Sequence, residues 1–143
     1  MIFLLSAVLR QFWGIVYKKF GYDLKLNKTQ VFEPPEEFED RFIESDISTD
    51  KIKVYYMEKH DFAISKIARG LTKDFDDVLN VHKEFPLNVD QLISVFFKEY
   101  LFTVAIGSLT DKVISLKQLI EELFGAEVLL IKLDEIDRLA DRK

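Results

Sequence analysis

Residues 55–77 read YYMEKHDFAISKIARGLTKDFDD, and this stretch decides the fold. It begins inside the run KIKVYYM at residues 51–57, which is β-branched and aromatic with partial alternation, and which therefore predicts a strand. From Asp61 onward the apolar residues recur every three or four positions, which is typical of a helix. Gly70 ends or bends that helix, and Thr72 can cap the next one. The stretch predicts an α+β domain that is mostly helical, with a short sheet packed by a helical bundle.

Helices are predicted on both sides of this stretch. Asn88, with Gln91 three residues later, forms a capping-box pattern that begins a helix at 88–105. Pro34-Pro35 favours a helix start, and Gly125 favours a helix end. The other predicted elements are a buried helix at 2–20, short helix 36–44, helices 74–84 and 111–124, a strand or buried helical turn at 128–133, and a frayed helical tail from Asp134.

The composition is that of one globular domain, residues 1–143. The chain is 48% hydrophobic and 31% charged, and its thirteen phenylalanines predict an aromatic core. It has no cysteine, which excludes structural disulfides and thiolate metal sites. The net charge of −5 argues against a broad nucleic-acid-coating surface. The apolar N-terminus lacks a basic region and is too short to span a bilayer, so we expect a cytoplasmic protein without a membrane segment.

Charged residues that could carry chemistry cluster between positions 66 and 77. Asp74 and Asp77 are neighbours across one helical turn, and two such carboxylates can hold a divalent metal or position a base. A lysine and an arginine opposite them can grip a triphosphate. The same spacing is also found on an ordinary solvated, salt-bridged helix face. On one continuous helix, a single stripe would contain Lys66, Arg69, Lys73 and Asp77.

The block at 51–84 resembles the last conserved block of the minimal nucleotidyltransferases of the AbiEii type, a toxin-like family, and their uncharacterised relatives. In that block a strand leads to a helix of the form D-L-x-x-S/T-K-L-x-R, followed by R/K-D-x-x-D-I/V. This chain has DFAISKIAR at 61–69 and KDFDDV at 73–78. A looser match upstream extends the resemblance over roughly residues 1–100. It implies a partial nucleotidyltransferase-like fold, with 1–58 as a remnant of the α/β part and 59–143 as the helical part.

The resemblance also implies roles for single residues. Lys66 would contact the nucleotide phosphates with support from Arg69, and Asp77 would assist the active site with support from Asp74. Mg²⁺ and a nucleoside triphosphate would be the cofactors, and a nucleotide or an RNA end the partner. The family's metal site comes from an N-terminal Gly-Ser turn and a D-x-D strand, and neither lies before Lys51. The sequence therefore predicts a truncated or degenerate copy with no metal site of its own, or a chain whose missing strand is supplied by another chain.

Three classes of function fit these observations. An active toxin-related nucleotidyltransferase would transfer a nucleoside monophosphate to RNA or protein. A non-catalytic remnant would bind a nucleotide or a partner, and an unrelated helical interaction module would use the charged helix only as a solvated face. The apolar stripe of helix 88–105 is predicted as core or, if the front half of the fold is absent, as a surface for a protein partner or a second copy. His60 fits a helix start better than a histidine-based site.

Overall fold

The structure, a computed structural model, describes residues 34–51, 53–67, 72–100 and 108–142. A 3-10 helix at Phe38–Arg41 leads into two antiparallel strands, β1 (Ile43–Glu44) and β2 (Tyr55–Tyr56). The helices of the described ranges are α1 (Lys59–Ile67), α2 (Thr72–Glu84), α3 (Val89–Val95), α4 (Leu109–Phe124) and α5 (Ala126–Ala140). The predicted α+β class, mostly helical with a short sheet, is confirmed. The helix predicted at 2–20 lies outside the described residues.

The core forms around α1, which packs against α2, α3 and α4. Its apolar residues at positions 63, 64 and 67 are buried because they share the face that meets these three helices. Helices α4 and α5 form a hairpin that closes the other side of the core. The largest fully buried hydrophobic side chains are Val54, Ile64, Val78, Leu92, Ile93, Phe96, Tyr100, Leu116, Leu119, Ile120 and Ile136.

The segment predicted as a short helix at 36–44 is a 3-10 helix followed by β1, so that prediction is wrong in its second half. Phe42 is extended (ψ 137°), and the Ser45 amide donates a hydrogen bond to the Val54 carbonyl at 2.8 Å. Pairing with β2 therefore replaces the helical hydrogen bonds that a longer helix would need. The strand predicted at 51–57 is confirmed only at Tyr55–Tyr56.

The run 128–133 and the tail after it belong to one continuous helix, α5, so the strand alternative for this run is wrong. Gly125 has φ 88° and ψ 161°, a positive-φ conformation that is nearly exclusive to glycine and that ends α4 and reverses the chain within one residue. Lys117 donates to Asp137 at 2.6 Å, and Ile136 is fully buried. The run is only partly buried, with Leu129 packed against the core and Leu130 and Ile131 exposed, and a six-residue window does not reveal this pattern.

Two helix starts are fixed by side-chain caps. The Asn88 side chain accepts a hydrogen bond from the Gln91 amide at 3.0 Å, as the capping-box pattern predicts. Ser108 accepts from the Asp111 amide at 3.1 Å, so α4 begins at Leu109, two residues before the predicted start.

Helix α3 continues as a π-helical turn at Phe96–Tyr100. The apolar side chains of segment 88–105 that the structure describes lie in the core, while residues 101–107 lie outside the described residues. Exposed large apolar side chains lie elsewhere, for example Leu130 and Ile131 on α5. Within the described ranges, no helix combines the length and the apolar character needed to cross a membrane.

Candidate functional site

Helices α1 and α2 pack against each other in antiparallel directions, and we call the seam between them the α1–α2 groove. On α1, residues spaced by three and four positions form one stripe, and a matching stripe lies on α2. At one end of this helix pair Lys66 contacts Asp77, and at the other end Lys59 contacts the Pro86 carbonyl. The stripes that define the α1–α2 groove are Lys59, Phe62 and Lys66 on α1 and Asp74, Asp77, Val81 and Glu84 on α2.

The structure brings Lys66, Asp74 and Asp77 together at one end of the groove. The Lys66 ammonium donates to Asp77 Oδ2 at 2.7 Å and lies 3.5 Å from Asp74 Oδ1. Side-chain exposure is 15% for Lys66, 1% for Asp74 and 38% for Asp77. Asp74 therefore holds the lysine from the protein interior, and Asp77 holds it from the solvent side.

The rest of the Lys66 environment is apolar and tightly packed. Its ammonium lies 5.2 Å from the centre of the Phe62 ring, a cation–π contact. Beneath the ion pair the side chains leave no cavity that could hold a water molecule. Lys66 is 15% exposed, so a ligand would reach it from the solvent-facing side of the ion pair. The residues packed beneath it are Ala63, Ile67, Phe75, Val78 and Leu119.

The other residues of the predicted cluster contribute less to this geometry. Lys73 and Asp76 are exposed on α2. Arg69, which was expected to support the phosphate contact, lies outside the described residues, as does Gly70. The trio formed by Lys66, Asp74 and Asp77 is thus the part of the predicted site that the structure assembles.

A cavity of about 490 Å³ occupies the other end of the groove, beneath the β1–β2 hairpin. Phe62 lines this cavity and also contacts Lys66, so the cavity and the ion pair are adjacent. Lys59 donates to the Pro86 carbonyl at 2.7 Å across the far end. The cavity is lined by Ile43, Tyr56, Met57, Glu58, Lys59, Phe62, Val81, Glu84, Phe85 and Pro86.

Glu58 and His60 fix the start of α1 beside the cavity. The Glu58 carboxylate accepts from the His60 amide at 2.7 Å and from the Asp61 amide at 3.3 Å, which caps the helix. Burial by itself would raise the pKa of Glu58, but hydrogen bonds from the side chain and backbone of His60 outweigh it and lower that pKa.

The His60 ring joins α1 to the start of α3. Its Nε2 accepts from the Asn88 amide at 2.9 Å, and its Nδ1 lies 2.9 Å from Glu58 Oε1. Because Nε2 accepts, the ring proton is on Nδ1, which donates to Glu58. Both nitrogens are engaged, so His60 serves the structure of the helix start.

Arg41 ties the 3-10 helix to the helical part. It donates to both Asp61 carboxylate oxygens, at 2.7 and 2.9 Å, and its guanidinium lies 2.5 Å from Glu99 Oε2. Asp61 is fully buried, and this burial raises its pKa, while Arg41 opposes the rise. The first acid of the DFAISKIAR motif therefore anchors the segment that carries β1.

Among the side chains that the structure describes, no three or more His, Asp or Glu residues are grouped so that they could hold a metal ion. The candidate acids Asp74 and Asp77 are two, and both contact Lys66.

Sequence reasoning missed the aromatic cavity and the Arg41–Asp61 pair. The spacing of Lys59, Phe62 and Lys66 was present as a signal, since it places an aromatic ring between two lysines on one face. The contributions of Tyr56 and Phe85 had no local signal, because they depend on how β2 and the end of α2 meet α1.

Fold and site together define a mostly helical α+β domain with a lysine–aspartate cluster beside a cavity. The chain belongs to the family described as nucleotidyltransferase of unknown function (DUF6036), whose sequence model matches residues 15–121, more than half of the chain. The matched range includes the whole α1–α2 groove. No curated protein and no solved structure shows a significant match.

Proposed function

We propose that this chain binds a nucleoside triphosphate in the α1–α2 groove and acts as a toxin-related nucleotidyltransferase. The observation that carries the proposal is the position of Lys66, whose ammonium is held at the groove by Asp77 and Asp74. Membership of the nucleotidyltransferase family supports nucleotide as the ligand class. The reaction would transfer a nucleoside monophosphate from the triphosphate to RNA or protein: an acceptor oxygen would form a bond to the α-phosphorus, the bond between the α- and β-phosphates would break, and pyrophosphate would leave.

Phosphate oxygens would replace the carboxylate of Asp77 as the partner of Lys66. The exchange is favourable because a phosphate is also an anion with several acceptor oxygens, and because Asp77 is partly exposed and can turn toward solvent. Arg69 would add a second positive charge from the segment after α1.

Asp77, with Asp74 behind it, fits the role of holding a Mg²⁺ that arrives with the triphosphate. Mg²⁺ is typically bound through one or two carboxylates together with substrate phosphates and water. The ion would neutralise negative charge on the phosphates, and the chain's own part would be to position it beside Lys66.

Nucleotide binding without transfer is the second candidate, and one observation favours it. Both candidate carboxylates contact Lys66, so the pair stabilises the lysine in place. In a degenerate family member this arrangement would keep a nucleotide site while transfer is lost.

The test measures magnesium-dependent nucleotide binding by isothermal titration and by thermal melting, using millimolar triphosphate. We expect a higher melting temperature, since a ligand at about 100 times its Kd adds about 2.7 kcal/mol of stability. Lys66→Ala should remove the shift, and Lys98→Ala, which removes an exposed lysine from the π-helical turn, should keep it.

Labelled-nucleotide transfer to RNA and to protein then separates the two candidates. Binding with transfer supports the nucleotidyltransferase, and binding without transfer supports the non-catalytic alternative. No melting shift and no titration heat with the wild-type protein would overturn both.

A further inference from the structure

We infer that the cavity beneath the β1–β2 hairpin is the nucleobase subsite, and that it prefers bases with an exocyclic amino group. This assignment rests on the proposed function, because it uses Lys66 as the phosphate contact. It adds the position of the base and the groups that select it.

The first support is the lining of the cavity. Three aromatic side chains, Tyr56, Phe62 and Phe85, reach it from three different elements or their ends. Aromatic rings stack with any planar base, and such stacking is a large part of the affinity of single-stranded nucleic acid for proteins. The volume of about 490 Å³ lies in the usual range of small-molecule sites.

The exposure of two of these rings also supports the assignment of the cavity as the nucleobase subsite. Phe85 is 65% exposed and Tyr56 is 44% exposed, although both are large apolar side chains. Part of each ring is therefore uncovered at the cavity that it lines, while Phe62, in the same lining, is half-buried.

The second support is distance along α1. Lys59 lies at the far end of the cavity and Lys66 at the phosphate end, seven residues apart and thus about 10 Å along the helix axis. An extended nucleotide spans a similar length from its base to its terminal phosphates. Phe62 lines the cavity and its ring also contacts the Lys66 ammonium, so one ligand can occupy the cavity and reach Lys66.

The third support is the charge at the rim. Glu84 lines the cavity and is exposed, and its carboxylate forms no ion pair or hydrogen bond with another residue in the described ranges. The Glu58 carboxylate, in contrast, is engaged by the start of α1. A carboxylate only accepts hydrogen bonds, so Glu84 favours an amino group over a carbonyl at the same position of a base.

The experiment compares ligands that differ at one group. Titrations with CTP against UTP, and with ATP against ITP, contrast an amino group with a carbonyl on the same ring system. We expect the amino-bearing member of each pair to bind several-fold more tightly, and Glu84→Ala to abolish that difference. Phe85→Ala should weaken every nucleotide about tenfold, because one stacking wall is lost.

Two further probes separate this assignment from the proposed function. Inorganic triphosphate carries no base, so its affinity should fall with Lys66→Ala and be unchanged in Phe85→Ala. Adenosine carries no phosphate, so it should bind the wild type weakly, lose affinity with Phe85→Ala, and be unaffected by Lys66→Ala. Ile131→Ala, which shortens an exposed apolar side chain on α5, is the matched control.

Two results distinguish a failure of the base subsite from a failure of the proposed function. If nucleotides and inorganic triphosphate bind in a Lys66-dependent way but Phe85→Ala and Glu84→Ala have no effect, the base subsite is elsewhere and the proposed function stands. If inorganic triphosphate and nucleotides both fail to bind, the proposed function fails and the assignment fails with it.

Discussion

Arg41 makes contacts to three segments with one guanidinium. It pairs with both oxygens of the fully buried Asp61, contacts Glu99, and donates to the Glu36 carbonyl at 3.0 Å. Water does not reach the Asp61 carboxylate, so Arg41 must supply its counter-charge. Arg41→Ala should therefore lower the free energy of unfolding by about 3 kcal/mol, since it leaves a buried carboxylate without its counter-charge. Urea denaturation monitored by circular dichroism measures this loss.

The matched control for Arg41 is Lys53→Ala. Lys53 pairs with Glu44 at 2.7 Å, but both side chains are exposed, and water replaces the lost contact. We expect a much smaller loss of stability from this variant. A loss of stability from Arg41→Ala as small as the loss from Lys53→Ala would show that the Arg41 contacts do not anchor the β1–β2 hairpin.

Glu58 gives the start of α1 a specific dependence on pH. Its folded-state pKa lies below its ordinary value of about 4.3, because the hydrogen bonds from His60 outweigh the effect of burial. The contribution of this carboxylate to stability is therefore complete above about pH 4.3 and is lost as the pH falls through the lower, folded-state pKa. Glu58→Gln should be less stable than the wild type near neutral pH, and the difference should shrink in acid.

The measurement is the free energy of unfolding of both proteins between about pH 3 and 7. Asp61 contributes with the opposite sign, since burial raises its pKa; the Glu58 charge adds only a smaller part of that rise, so the Asp61 contribution changes little between the two proteins. A difference between wild type and Glu58→Gln that stays constant down to the lowest pH would contradict the cap.

Among the elements, the α4–α5 hairpin depends on the backbone of one residue. Gly125 has φ 88° and ψ 161°, a combination that side-chain-bearing residues rarely adopt, yet a Cβ there would touch nothing within 4 Å. Gly125→Ala should therefore cost about 1–2 kcal/mol through backbone strain alone. Thermal unfolding would show this loss, and Gln118→Ala, an exposed position within α4, should change little.

The elements that the sequence predicts well are those set by local signals. Asn88 and Gly125 work within a few residues of the ends they define, so their patterns are readable in a short window. The segments at 36–44 and 128–133 depend on distant partners, namely β2 for the first and α4 for the second. A local pattern does not show which partner a segment will pack against. The prediction for 36–44 was therefore wrong in its second half, and the prediction for 128–133 was left open between strand and helix.

The same division applies to the candidate site. Lys66, Asp74 and Asp77 are predicted together because they lie at helical spacing, and the structure places both acids in contact with the lysine. The cavity joins Tyr56, Phe62 and Phe85, which come from β2, from α1 and from the end of α2. Only the packing of the whole domain creates that neighbourhood.

At the scale of the molecule, charge balance limits how a polyanion can bind. The chain carries a net charge of −5, and the ammonium of Lys66 is already matched by two carboxylates. A triphosphate must therefore compete with Asp77 for Lys66 while approaching an acidic protein. Asp77→Asn should raise the affinity for inorganic triphosphate without magnesium by about three- to tenfold, because it frees the lysine from its closest partner.

Asp76→Asn is the control for this change, because Asp76 lies exposed on the same helix and its substitution alters the net charge by the same amount. If the gain came only from weaker overall repulsion, both variants would bind triphosphate equally well, and the gain in both would vanish in high salt. A gain confined to Asp77→Asn means that the direct contact with Lys66 controls phosphate access. The same variant should gain less from added Mg²⁺ than the wild type does, because it has lost the more accessible of the two carboxylates proposed to hold the ion.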